Sequence, residues 1–335
     1  MCYLLFGLML WLAIPLAADQ SKDLRQTLTA GVPGQPLIEG EMDWTNGVLT
    51  AYGEGVAPKN VDNPVTQRLM GFRAAKLAAL RNLVEVVGQL QVDSRTTVSM
   101  AMVTEDSIST QVSAILQGAR IVSDSRQEID GAYRLAVSVP LGAEFVDLVL
   151  PGDTAYADTT ADLVLPPKSL PAADSLVVFV PPKPYTGLIV DGRGLDLRPS
   201  ISPRILSEDG REIYSATFVE REYAVRFGVV GYDKDLERAM TSDRIGGEQA
   251  HPFVVQAKDV YGLYNADVMI SRDAGIRVRM ANAERDFLQE CRVIFVLGPV
   301  PKNLDTSFRD SLMHELQSID AAKQDSLRAL MDAQR

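Results

Sequence analysis

The sequence predicts an α+β protein with two small α+β domains, at residues 41–150 and 175–300, and a C-terminal amphipathic helix. Three observations support this fold class: alternating strand patterns are interrupted by helical periodicity, Asn-Gly and Asp-Gly turn signals recur, and continuous apolar runs occur in the second half. The predicted order in the first domain is β-α-β-α-β-β. We therefore expect an antiparallel-rich sheet with its helices packed on one face.

The first domain opens with an alternating strand region that includes Asn46-Gly47, a strong turn signal. A long helix follows: Asn63 suits its cap, Pro64 its first position and Gly88 the left-handed position after its end. The predicted buried stripe consists of the apolar residues at helical spacing, namely Leu69, Phe72, Leu77, Leu80, Leu83, Val84 and Val87. Most basic residues fall off that stripe and indicate a solvated face rather than a basic binding face: Arg68, Arg73, Lys76 and Arg81.

The remainder of the first domain contains one more helix and a hairpin. Residues 94–98 have the β-branched composition of a strand. A short helix is predicted from about residue 105 to 117. Asp130-Gly131 then joins two strands, near 120–128 and 132–139, and is the best short-range hairpin signal in the chain.

The second domain follows a Pro-rich linker at residues 151–174. A second hairpin is predicted at Asp209-Gly210, and Ser271 can cap a helix that reaches Ala283. The strand signals lie at residues 176–180, 187–191, 204–206, 212–214, 252–260, 266–270 and 291–297.

The two ends of the chain carry their own signals. Residues 3–18 have no charge and end in Leu16-Ala17-Ala18, which predicts a signal peptide at 1–18, followed by a flexible lead-in at 19–40. The apolar run is shorter than the roughly 20 residues of a spanning helix, so an uncleaved anchor is the weaker interpretation. No basic residue precedes the run, so the true start could lie upstream. Residues 303–335 predict an amphipathic helix that meets a partner, packs on its own domain or frays.

Composition and motifs argue against several kinds of site. The net charge of −11 disfavours binding to nucleic acid or anionic lipid. The only two histidines, His251 and His314, have no zinc-ligand spacing, and no Gly-x-Ser-x-Gly elbow is present. Cys291 lies among apolar residues and is predicted to be a buried, inert thiol.

Two glycine-containing loops are candidates for phosphate or anion sites. Gly53-Glu54-Gly55 lacks the third glycine of a dinucleotide loop, and Pro58 delays the helix that would follow. Residues 191–194, Asp-Gly-Arg-Gly, could bind an anion, but a tight turn with a solvated Arg193 is the favoured interpretation. The sequence therefore predicts no catalytic residue, no cofactor site and no metal site.

Four short motifs of the first domain resemble those of a known family. They are Gly53-Glu54-Gly55, Arg81-Asn82-Leu83, Gly118-Ala119-Arg120 and the run from Val137 to Leu141. Residues 48–141 resemble the bacterial envelope lipoprotein family that includes a Helicobacter surface lipoprotein. Flagellar assembly protein T and flagellar basal-disc lipoprotein P have a similar domain. The resemblance implies a periplasmic or outer-membrane-associated, non-enzymatic domain that often assembles into larger structures. The lipobox is missing, since Cys2 precedes the apolar run.

These observations lead to two functional hypotheses. The first is an exported, non-enzymatic envelope protein that acts as a structural or protein-interaction module, with a flagellar or other envelope assembly as one branch. Its expected partners are envelope proteins and further copies of itself, bound through residues 305–335, and no small-molecule ligand is expected. The alternative is a periplasmic small-ligand-binding protein or enzyme, with a site between the two domains near Arg193 or His251.

Overall fold

The computed structural model of the protein describes residues 23–30, 38–150 and 183–299. Helices and strands alternate through both halves of this part of the chain, which confirms the α+β class. The predicted signal peptide (1–18), linker (151–174), strand at 176–180 and C-terminal helix (303–335) lie outside the described residues.

The first unit, residues 23–150, is an antiparallel sheet covered by helices. The strands run in the order β1-β2-β3-β6-β4, and β5 also pairs with β6. The elements are β1 (Arg25–Ala30), β2 (Ile38–Asp43), β3 (Val48–Val56), α1 (Pro64–Gly88), α2 (Val98–Thr104), α3 (Asp106–Leu116), β4 (Arg120–Ile121), β5 (Gln127–Ile129), β6 (Ala132–Pro140) and α4 (Ala143–Val149).

The ends of α1 are partly as predicted. Asn63 caps the helix, because its side-chain oxygen accepts hydrogen bonds from the backbone N–H groups of Val65 and Thr66. The prediction for Gly88 was wrong: it is the last helical residue, and Gln89 follows it in a right-handed conformation. A Cβ atom at Gly88 would lie 3.3 Å from the Cβ of Ser99, so the absence of a side chain at Gly88 lets the first turn of α2 pack against the end of α1.

Helix α1 lies unusually close to strand β3. A Cβ atom at Gly53 would lie 2.1 Å from the backbone nitrogen of Ala79, and one at Gly55 would lie 2.4 Å from that of Ala75. Such distances leave room for no side chain between strand and helix. The two glycines are therefore packing residues, in agreement with the rejection of a phosphate loop.

This close approach overturns part of the predicted apolar stripe. Leu83 and Val87 are buried, and Phe72 and Leu80 are partly buried. The other three predicted members of the stripe are exposed: Leu69 by 67 %, Leu77 by 61 % and Val84 by 42 %. The helix instead turns its small residues toward the sheet, because only they fit at that distance. The face that packs on the sheet includes Gly71, Ala75 and Ala79.

Two further predictions in the first unit were wrong. Residues 94–98 are not a strand, because Asp93 accepts hydrogen bonds from the N–H groups of Arg95 and Thr96 and forms a turn, after which Thr97 caps α2. The lead-in at 19–40 is not wholly irregular either. It contains β1, which pairs with β2 over six residues and buries Leu28.

The hairpin at Asp130-Gly131 is confirmed. Both residues have positive φ, 51° and 80°, as a tight turn between antiparallel strands requires. The predicted strand at 120–128 is divided into β4 and β5, which pair with different parts of β6. Ser125 lies at the break, where its hydroxyl donates to Val122 and accepts from the N–H of Ala136.

The second unit, residues 183–299, contains two sheets. The strands β10-β14-β7-β11 form an all-parallel sheet, and β12-β13-β8-β9 form a mixed one. The elements are β7 (Gly187–Asp191), β8 (Ile205–Ser207), β9 (Glu212–Tyr214), α5 (Arg221–Phe227), β10 (Gly231–Asp233), α6 (Leu236–Met240), β11 (Pro252–Gln256), β12 (Asp259–Tyr261), β13 (Asp267–Ile270), α7 (Arg272–Asn282) and β14 (Val293–Val296).

Most local predictions for the second unit hold. The hairpin at Asp209-Gly210 joins β8 to β9, and the Ser271 side chain caps α7. The prediction of one strand at 252–260 was wrong, because the structure has two strands there, β11 and β12. The chain leaves the parallel sheet after Gln256 and enters the mixed sheet at Asp259.

The close contact between α1 and β3 can be tested by adding one small side chain. Gly53→Ser should destabilise the protein by about 1–3 kcal/mol or more, because the new Cβ meets helix backbone that cannot rotate away. Gly142→Ser is the matched control, since Gly142 has negative φ and no atom within 4 Å of an added Cβ. Guanidinium unfolding followed by far-UV circular dichroism measures both. Equal midpoints for the two variants would contradict the packing argument.

Candidate functional site

The two units are joined by main-chain hydrogen bonds. The N–H of Ile201 donates to the carbonyl of Gln91 at 3.0 Å, and the N–H of Ser202 donates to that of Val92 at 2.7 Å. Residues 201–202 of the second unit thus form main-chain hydrogen bonds with residues 91–92 of the first unit, next to the turn that Asp93 stabilises. The junction is part of the fold and is not a loose linker contact.

A buried ion pair stands directly behind this junction. The Arg204 guanidinium donates to one Asp267 oxygen from Nε at 2.9 Å and from Nη2 at 2.7 Å, and the Arg204 N–H donates to the other at 2.8 Å. Arg204 also reaches the Ser94 hydroxyl of the first unit at 3.4 Å. Burial raises the pKa of Asp267, and the adjacent guanidinium opposes that shift. The pair therefore links β8 and β13 to the loop of the other unit.

Aromatic side chains complete the contact between the units. Trp44 of the first unit meets Tyr232 of the second edge-to-face, with ring centroids 5.6 Å apart. The Tyr232 hydroxyl donates to the Ser200 carbonyl and accepts from the Ser200 N–H, at 2.8 and 2.9 Å. Burial raises the pKa of Tyr232, so it stays a neutral hydroxyl. Nearer the surface, Arg221 of α5 donates to Asp147 of α4 at 2.8 Å.

A cavity with a volume of about 470 Å³ lies where these contacts diverge. We call it the inter-unit cavity. Its walls combine aromatic rings with a few polar groups, and they include Trp44, Phe145, Ser200, Arg226, Tyr232 and Arg244. Cavities at domain junctions with this mixture of side chains are common places for ligands.

Arg244 lies in the wall of the inter-unit cavity and is held by backbone carbonyls. Its Nη1 donates to Cys291 at 2.6 Å and to Gly228 at 3.2 Å, and its Nη2 donates to Phe227. Among the described residues, no carboxylate lies within 4 Å of this guanidinium. Burial lowers the pKa of Arg244, although a guanidinium remains charged at neutral pH.

The residues that the sequence analysis suggested for a site between the domains lie elsewhere. Arg193 donates from Nε and Nη2 to Asp191, at 2.8 and 2.7 Å, and these hydrogen bonds lower the pKa of Asp191. His251 stacks on Tyr185 with ring centroids 4.9 Å apart. Neither Arg193 nor His251 lines the inter-unit cavity. His314 lies outside the described residues.

Cys291 is buried, and burial raises the pKa of its thiol to about 11. This agrees with the predicted inert thiol, since a thiol that stays protonated is a poor nucleophile. Within residues 23–30, 38–150 and 183–299, no group of three or more His, Cys, Asp or Glu side chains could hold a metal ion. In the same ranges, no helix has the length and apolar character needed to cross a bilayer.

A second surface of interest is the solvent-facing side of α1. We call it the outer α1 surface and define it by four exposed apolar residues: Leu69, Met70, Leu77 and Val84. Basic side chains lie along the same helix at Arg73, Lys76 and Arg81, and all three are exposed. The prediction that the basic residues face solvent is thus confirmed, but they share that side with large apolar residues.

Each unit matches the model of a known protein family. Residues 52–139 match the LPP20 lipoprotein family. This confirms the resemblance of the first domain to a bacterial envelope lipoprotein family, and we refer to it as the LPP20-like domain. Residues 187–299 match the second domain of Treponema pallidum Tp0624. No curated protein matches the chain. The two matches support a lipoprotein-like protein of the cell envelope.

The buried ion pair behind the junction provides a test of the interface. Asp267→Asn should destabilise the protein by about 3–5 kcal/mol, because it removes the buried carboxylate charge that accepts three hydrogen bonds from Arg204, and the more distant Glu212, at 3.8 Å, replaces little of that interaction. Asp209→Asn is the control, since Asp209 forms more exposed pairs with Arg211 and Arg272 and should cost less than about 1 kcal/mol. Guanidinium unfolding of both variants is the measurement. A small effect of Asp267→Asn would mean that the pair does not stabilise this junction.

Proposed function

We propose that this protein is an exported, non-enzymatic component of the bacterial cell envelope that acts as a protein-interaction module. The match of residues 52–139 to a lipoprotein family supports the envelope, and the apolar, uncharged residues 3–18 support export. The observation that carries the interaction role is the outer α1 surface, where the large apolar side chains that define it face solvent on one helix. Exposed apolar surface of this kind commonly marks a site for another protein.

The spacing of the exposed residues suits a helical partner. Met70, Leu77 and Val84 are separated by seven residues each, so they lie along one line of the helix. Arg73, Lys76 and Arg81 flank this line, and among the described residues none of the three forms an ion pair. A fitting partner therefore presents an apolar stripe with carboxylates beside it.

The C-terminal part of the same chain has that chemistry. Its predicted stripe contains Phe308, Leu312, Leu316 and Ile319. Acidic residues alternate with this stripe at Asp305, Asp310, Glu315 and Asp320. We therefore propose self-association, in which residues 305–335 of one copy bind the outer α1 surface of another.

Export is tested by cell fractionation with N-terminal sequencing of the recovered protein. We expect the chain in the envelope or periplasm, beginning near Asp19, because Leu16-Ala17-Ala18 is the predicted cleavage site. A cytoplasmic protein that retains residues 1–18 would contradict the envelope role.

Self-association is tested by multi-angle light scattering over a range of protein concentrations. The wild-type mass should rise with concentration, and both Leu77→Glu and deletion of residues 305–335 should keep the protein monomeric. The new carboxylate of Leu77→Glu would have to be desolvated in the apolar contact. Ile129→Glu is the matched control, because Ile129 is an exposed apolar residue on β5 of the same domain. A wild-type monomer at every concentration would refute self-association.

A further inference from the structure

We infer that the inter-unit cavity binds a small organic monocarboxylate with an apolar body. This goes beyond the proposed interaction role and does not depend on it. The cavity has a volume of about 470 Å³, within the roughly 300–1,000 Å³ of typical small-molecule sites. The backbone pairing of residues 201–202 with the Gln91 loop holds its two walls together, so the cavity exists before a ligand arrives.

The charge of the cavity is positive in a protein whose net charge is −11. Arg226 and Arg244 both line it, and among the described residues neither forms an ion pair with a carboxylate. The acidic residue of the lining, Asp233, is engaged by Arg238, whose Nη2 donates to it at 2.6 Å. The two lining arginines are therefore left without a counter-ion from the described part of the protein.

The hydrogen-bonding capacity of the cavity is also unfilled. A guanidinium has five N–H groups, and three of those of Arg244 are taken by the carbonyls of Phe227, Gly228 and Cys291. Ser200 is 1 % exposed, and its hydroxyl has no partner among the described residues. A buried hydroxyl without a partner is costly, and an anionic oxygen would accept from both groups.

The remaining wall selects the rest of the ligand. Trp44, Phe227 and Tyr232 offer aromatic surface, which binds an apolar chain or ring. The few free donors suit a singly charged carboxylate better than a phosphate dianion, whose additional oxygens would require more donors. The chemistry therefore points to a carboxylate end near Ser200 and the two lining arginines, Arg226 and Arg244, and an apolar end against the rings.

The test uses Trp44 as a reporter. The chain has two tryptophans, so Trp11→Phe in the full-length protein leaves Trp44 alone. Sodium octanoate should change the Trp44 emission in a saturable way. Octanamide has the same chain without the charge, and its affinity should be lower by about tenfold or more. Ser200→Ala and Arg226→Gln should each weaken octanoate binding by about three- to tenfold. Arg120→Gln, at an exposed arginine of β4 outside the cavity, should leave it unchanged.

Several outcomes of these measurements would overturn the inference. It is overturned if octanoate leaves the Trp44 emission unchanged, or if octanamide binds as well as octanoate. It is also overturned if Ser200→Ala and Arg226→Gln behave like Arg120→Gln while circular dichroism shows all three folded. Inorganic phosphate is the third probe, and tighter binding of phosphate than of octanoate would refute the assignment to monocarboxylates.

Discussion

The first unit depends on one steric constraint, the approach of α1 to β3 at Gly53 and Gly55. Because no side chain fits between this strand and the helix, the helix must present Ala75 and Ala79 to the sheet. This choice fixes the rotation of α1 about its axis. The rotation in turn places Leu77 and its neighbours on the solvent side. The packing of the core and the exposed apolar surface are thus two results of the same contact.

The sequence predicted elements well where a local signal controls them. Asn63 caps α1 and Asp130-Gly131 turns the hairpin because both act through their own or adjacent backbone groups. It predicted the buried face of α1 poorly, because hydrophobic periodicity counts large residues and overlooks a face of Gly and Ala. The strand expected at 94–98 failed because Asp93 and Thr97 satisfy the backbone locally and start a helix.

Sequence patterns did not predict the residues of the inter-unit cavity. Arg193 was predicted from its glycine-containing loop, yet its guanidinium pairs with Asp191, two residues away. Arg244 belongs to no motif, and it lies in the cavity wall only because a short 3₁₀ segment brings it to carbonyls as distant in sequence as Cys291. Ser200 is likewise placed by its contact with Tyr232. Such sites arise from tertiary contacts between the units, which periodicity and spacing do not encode.

The contact between Arg204 and Ser94 also implies an order of folding. These residues are 110 positions apart, whereas the turn that presents Ser94 is closed by Asp93 and its immediate neighbours. Contacts of low sequence separation form before those that must close long loops. In a chain that emerges with its N-terminus first, the receiving loop is complete before residues 201–204 are available. The first unit would then serve as a template on which the second completes its core.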